Sequence, residues 1–198
     1  MISERSDGLT PDRLARYRQI EETLARLVRA EVRTSHYSEL EGVAADATVL
    51  SGSSDPWAAH DPTALARLRD ELREHEGPVL GICAGMQLLA TAAGAEIAHA
   101  PRATGPSFEP VEVLDDGSIF AGLDGSISVW QHHSDEVQAP PPGLRVLARS
   151  DSCTIEALAS DERPWWGTQF HPEAWDAEHP AGLRVLQNFF ELARVPLR

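Results

Sequence analysis

Lysine is missing from this chain. All 17 basic residues among its 198 are arginine; with 31 acidic residues the net charge is −14. Without lysine there can be no pyridoxal Schiff base and no Walker A loop of the usual form. The sequence therefore offers no means of activating an acceptor with ATP, and no cofactor is expected. The acidic balance argues against nucleic acid and against an anionic membrane surface as partners. Cysteine is scarce: Cys83 and Cys153 are the two present, and no C-x-x-C pair occurs. Neither a disulfide framework nor a metal site is expected from that. Long apolar runs are scarce too. The uncharged stretch from Pro78 to Ala95 holds three glycines, Gln87 and Thr91, which fits strand, turn and helix better than a membrane span. The opening M-I-S-E-R-S-D-G-L-T has no apolar signal core, so a reducing, cytoplasmic setting is expected. The length predicts one domain over 1–198, with 1–9 poorly structured or a stub strand.

Against these absences stands Val79 to Gln87, V-L-G-I-C-A-G-M-Q. A short apolar run stops at Cys83, and a helical segment follows, closed by Gly94. A strand that turns sharply into a helix with a nucleophile at the corner is a nucleophile elbow. Gly81 and Gly85 flank the cysteine because such a turn tolerates little bulk. The corner also sets the sulfur at a helix N-terminus, where backbone N–H groups and the helix dipole favour a thiolate.

In chain order, Thr10-Pro11-Asp12 reads as a helix start. Leu14, Tyr17, Ile20, Leu24, Leu27 and Val28 then predict an amphipathic helix over 11–30. Glu31 to Tyr37 alternates and suits a strand. Ala47 to Leu50 predicts a buried strand, followed by the loop S-G-S-S-D-P-W. Asp61-Pro62 opens a helix with Leu65, Leu68 and Leu72 on one face. The pattern predicts an α/β fold: a doubly wound, mostly parallel sheet flanked by helices. Its leading strand is weak, since residues 1–9 offer only Met1, Ile2 and Leu9 as apolar. The second half predicts appended short antiparallel strands at Phe108–Leu114, Ser126–Gln131, Leu144–Arg149, Thr154–Ala159 and Trp165–Phe170. A last helix is expected over 181–193, burying Leu183, Leu186, Phe189 and Phe190. Cys153 reads as a packed strand residue. Trp130, Trp165 and Trp166 read as core, and His179 as a turn residue without chemistry.

The last of those strands runs into His171-Pro172-Glu173. At i and i+2 of an extended stretch the two side chains point the same way, so the carboxylate can orient the imidazole. With an elbow cysteine earlier in the chain, this supplies nucleophile, base and orienting acid. Both would emerge at strand C-terminal ends, where a parallel sheet gathers its site.

The G-I-C-A-G-M-Q elbow and the terminal Q-F-H-P-E resemble the class I, or triad, glutamine amidotransferases over about residues 45 to 175. V-W-Q-H-H-S-D-E-V, L-A-R-S-D-S-C-T-I-E-A-L and W-G-T-Q-F-H-P-E are most similar to the glutaminase part of GMP synthetases. The resemblance implies that Cys83 attacks the amide carbon of glutamine, His171 carries the proton and Glu173 holds His171. It implies an oxyanion site from the N–H of Ala84 and one from the Gly52–Ser53 loop, and bracing of the elbow by Gln87. It maps a substrate-holding loop onto His133, Ser134 and Asp135, with His132 and His133 both open for the role facing the pocket. It also implies ammonia delivery to a separate synthase subunit. Ser53 departs from the family pattern, which has a second glycine there. If that position needs positive φ, serine would misalign the oxyanion site. A free-standing γ-glutamyl hydrolase and a non-catalytic regulatory module are the competing readings.

Overall fold

The computed structural model describes residues 10–38 and 45–198, with α and β elements alternating through the first half. Helix α1 spans Pro11–Leu27, strand β1 Thr48–Leu50, helix α2 Pro62–Glu74, strand β2 Val79–Ile82 and helix α3 Ala84–Ala92. The second half contributes β3 (Ile97–Val113), β4 (Ser126–Val137), β5 (Leu144–Arg149), β6 (Ala157–Ser160), β7 (Trp165–Thr168) and α4 (Ala181–Leu192). The strands form one sheet in the order β1-β2-β7-β6-β5-β3-β4. Pairing is parallel across β1, β2 and β7 and antiparallel across the rest.

The period-2 rule splits β2 between the two faces of the sheet. Leu80 and Ile82 enter the core shared with Leu24 and Val28 at the end of α1 and with Val185, Leu186 and Phe189 of α4. Val79 enters the core shared with Leu65, Leu68 and Leu72 of α2 and Leu88 and Leu89 of α3. Helices therefore cover both faces, as the alternating elements predict. Helix α2 starts where expected: the Asp61 carboxylate accepts the Thr63 N–H at 2.8 Å, and Pro62 takes the first turn. Helix α4 buries Val185 in place of Leu183, which is half-buried, and also buries Asn188. Asn188 Nδ2 donates to the Ile119 and Ala121 carbonyls at 2.9 Å each, which offsets the cost of hiding its amide.

The structure corrects several expectations. Residues 31–36 form no strand; Tyr37 is buried beside α2, and its hydroxyl accepts the Asp61 N–H at 3.3 Å. The alternation there carries too few apolar residues to compete for a place in the sheet. Helix α1 stops at Leu27 because Val28 bridges Leu197 and the Leu27 carbonyl accepts the Arg198 N–H at 2.9 Å. Strand β3 begins eleven residues before Phe108, at Ile97. Pro101, Pro106 and Pro110 mask it in the sequence, yet over most of its length β3 pairs with β4 alone, so prolines can face the unpaired side. Strand β4 likewise continues past Gln131 through a polar stretch to Val137. Cys153 is packed, as expected, but in a turn: the Ser150 hydroxyl accepts the Ser152 and Cys153 N–H groups, delaying β6 to Ala157. Trp165 is buried, while Trp130 and Trp166 are half-buried. The stub strand expected at the start lies outside the described residues.

Candidate active site

Strands β2 and β7 lie side by side in register, with Ile82 opposite Thr168, so the residues that follow each strand emerge together. Cys83 comes first after β2. Its N–H donates to the Thr168 carbonyl at 2.7 Å, and its own carbonyl accepts the Gln87 N–H of α3 at 3.0 Å. Between these anchors Cys83 adopts φ 53° and ψ −110°, a conformation costly for a residue with a side chain and characteristic of a nucleophile elbow. The flanking glycines are required by space. A Cβ on Gly81 would lie 2.5 Å from the Gly85 backbone, and one on Gly85 would lie 2.2 Å from the Leu50 carbonyl oxygen.

His171 stands three residues beyond β7. Its N–H donates to the Trp130 carbonyl of β4 at 2.8 Å. Glu173 reaches it by a route that extended i, i+2 spacing does not predict. Pro172–Ala174 is a turn of 3₁₀ helix, and that turn brings Glu173 Oε1 to 2.8 Å from His171 Nδ1. Both side chains are more than nine-tenths buried. Burial alone would lower the imidazole pKa. The Glu173 charge and the hydrogen bonds to Cys83 and Glu173 outweigh it, and the value rises to about 10. Burial pushes the Glu173 carboxyl up, but the His171 charge and hydrogen bond more than reverse this, and its pKa is lowered. The imidazole thus links thiol to carboxylate.

Gly52 packs its backbone against this pair: a Cβ there would lie 3.0 Å from His171 Cε1 and 3.4 Å from Cys83 Cβ. Ser53 has no positive φ, so the strain that replacing a glycine would bring is absent. Its hydroxyl instead accepts the Asp55 N–H at 3.0 Å and meets His60 Nε2 at 3.1 Å. Ala84 opens α3, and its N–H belongs to the first turn, where no helical acceptor exists. Gln87 is a brace between three segments. Its Nε2 donates to the Asp135 carbonyl at 2.7 Å and to Gln169 Oε1 at 3.1 Å, and its Oε1 accepts the Trp57 indole N–H at 2.8 Å.

A cleft of about 310 Å³ opens over Cys83 and His171, walled by Arg16, the 53–57 loop, Gln87, His99 and His132–Asp135. Strand alternation separates the two histidines. His132 is exposed and offers its carbonyl to Cys83 Sγ at 4.0 Å, while His133 is buried towards Cys153 and Glu156. Burial, then the His171 charge, depresses both imidazoles, His133 to about 4. Ser134 and Asp135 line the cleft, and Asp135 Oδ1 meets His99 Nδ1 at 3.1 Å. His179 serves structure, stacking on Phe108 with ring centroids 3.8 Å apart.

Two further residues of the site carry no local signal in the sequence. Gln169, just before Phe170-His171, is fully buried and donates Nε2 to Cys83 Sγ at 3.6 Å. Arg16 projects from α1 to the cleft, where Nη1 donates to Ser54 Oγ at 3.3 Å and its charge is felt by Glu173 and His132. Among the described residues it is the one arginine in the cleft wall. Only the approach of α1 to the elbow gives it that place.

Known proteins resemble this chain over most of its length. The family described as "Glutamine amidotransferase class-I" matches residues 16–193. The glutamine-hydrolyzing GMP synthase subunit from Thermococcus kodakarensis is 36% identical over 159 residues, covering 80% of this chain and 81% of that protein. A glutamine-hydrolyzing GMP synthase from Thermus thermophilus is 42% identical over 149 residues, which span 75% of this chain and 28% of the longer protein. A crystal structure from Thermoplasma acidophilum, ascribed to a GMP synthase subunit, superposes with a TM-score of 0.75 at 28% identity, covering 98% of this chain and 92% of that one.

Proposed function

This chain belongs to the class I glutamine amidotransferase family, and from that premise we propose that it supplies ammonia for GMP synthesis through Cys83, His171 and Glu173. It is a glutamine-hydrolysing enzyme that works with a synthase subunit. The observation that carries the residue assignment is the buried imidazole linked to thiol and carboxylate at the paired ends of β2 and β7.

Cys83 attacks the side-chain amide carbon of glutamine with the thiol proton already taken up by His171. His171 returns a proton to the leaving ammonia, and water then hydrolyses the glutamyl thioester. Glu173 fixes the imidazole and stabilises its charged form. The N–H of Ala84 and the Gly52–Ser53 loop face the developing oxyanion. Arg16 takes the substrate α-carboxylate at the mouth of the cleft, and Asp55 and Asp135 offer acceptors for the α-ammonium. The acceptor is assigned by similarity to proteins named as the glutamine-hydrolyzing part of GMP synthase.

The test is ammonia release from L-glutamine, alone and with the synthetase partner of a GMP synthase. Release that requires Cys83, with labelling of Cys83 by a glutamine-analogue electrophile, is the expected result. No release in any combination, with Cys83 unlabelled, overturns the residue assignment. Release that is unaffected by the synthetase partner overturns the choice of acceptor.

A further inference from the structure

His133, Cys153 and Glu156 meet in the interior, on the side of β4 away from exposed His132. They are 5%, 2% and 0% exposed. Each offers one ligand atom, and the three atoms lie within 4.8 Å of one another. The chemistry of the set is specific: one imidazole nitrogen, one sulfur and one carboxylate oxygen, from two separate stretches of chain. Neither ring nitrogen of His133 makes a well-formed hydrogen bond, although the Asp135 backbone lies near enough to favour its protonation. Glu156 Oε2 makes no well-formed hydrogen bond either, although the Gln131 side chain lies near enough to act on the carboxyl, while Oε1 accepts from Ser150 Oγ at 2.7 Å. Around them, Thr104 Oγ1, both Gln131 amide atoms and Glu136 Oε2 are also buried without well-formed bonds. Gln131 and Glu136 are close enough to bias the titration of Glu156 and Cys153 respectively. Unpaired buried polar atoms are expensive, and so many in one place point to a group that would bind them.

We propose that His133, Cys153 and Glu156 hold one divalent transition-metal ion, zinc by the chemistry of its ligands. Zinc takes sulfur, imidazole and carboxylate ligands at about 2.0–2.3 Å in a tetrahedron, which sets ligand atoms roughly 3.3–3.8 Å apart. The present spacing, up to 4.8 Å, must contract by about 1 Å to reach that range. Glu136 lies near Cys153 but outside this close group, and would have to move in to serve as a fourth donor. An ion held there displaces the thiol proton and stabilises thiolate and carboxylate together. The ion ties the 150–156 turn to β4, directly behind the His132–Asp135 wall of the cleft. The inference is independent of the glutaminase reading.

The test must separate this site from Cys83 and His171, which can also take up metal. Cobalt(II) is titrated into the full-length Cys83→Ala chain, whose one remaining thiol is Cys153, and zinc content is measured by elemental mass spectrometry. The expected result is one equivalent bound, with a thiolate-to-cobalt charge-transfer band. In Cys83→Ala/Cys153→Ala the band disappears and metal is no longer retained. Glu156→Gln in the Cys83→Ala background keeps thiol and volume, and should weaken cobalt binding by about tenfold or more. A Cys83→Ala chain that takes up neither metal overturns the proposal. So does unchanged affinity in Glu156→Gln, which decides the matter even where the double variant does not fold.

Discussion

Cys83 sits at positive φ while anchored on both sides, by Thr168 and by Gln87. A single atom change there leaves the fold intact and removes the nucleophile. Cys83→Ala is expected to abolish ammonia release while melting within a few degrees of the parent, measured by coupled assay and circular dichroism. Glu173→Gln keeps the size of the side chain but loses the charge that holds His171 protonated. Its kcat should fall by roughly 10²–10⁴. Arg16 stands at the mouth of the cleft rather than at the reacting atoms. Arg16→Gln should raise the KM for glutamine about tenfold, or about 1.4 kcal/mol, with kcat nearly unchanged. An equal loss in kcat would show that Arg16 acts through Glu173 instead. These roles were unequally legible. Cysteine at an elbow and His-x-Glu after a strand announce themselves by residue type and spacing. Arg16 and Gln169 do not, because their function comes from segments far apart in the chain meeting at one point.

The elements divide in the same way. Helix α2 follows from a cap, a proline and apolar spacing, and α4 from apolar spacing, all of them local causes. The long β3 does not, because three prolines contradict a strand until its unpaired side is seen. The failed strand at 31–37 is the converse: alternation without enough apolar surface does not hold a place in the sheet. The β2–α3 corner depends on backbone contact more than on any side chain. Gly85→Ala would force a Cβ to 2.2 Å from the Leu50 carbonyl, so β1 or α3 must shift. The loss should be at least about 3 kcal/mol, above the usual range for overpacking against side chains, measured by urea unfolding. Gly94→Ala is the comparison: its φ is +96° but no atom lies within 4 Å of a new Cβ. That change should cost only about 1–2 kcal/mol, from backbone strain alone.

For the whole molecule, the buried ion pair ties stability to pH. The folded His171 value, about 10, lies above the ordinary 6.5. Its contribution is complete below about 6.5 and is lost as pH rises towards 10. Glu173 is shifted down from 4.5, so its contribution is present above that value and fades as pH falls through its folded pKa. The parent melting temperature should therefore decline more steeply between pH 7 and 10 than that of His171→Asn, followed by scanning calorimetry. Parallel slopes would show that the pair adds nothing to folding.

The seam between β2 and β7 fixes how the chain should fail on heating. Nucleophile and base are indexed to each other by that ladder, in the interior of the sheet, with the Trp130 carbonyl of β4 as a second anchor for His171. Fraying at the β1 margin leaves the indexing untouched. Deuterium should enter the amides of Val79–Cys83 and Trp165–Thr168 last of all, and turnover should persist until those amides exchange. Inactivation and global melting would then be one event.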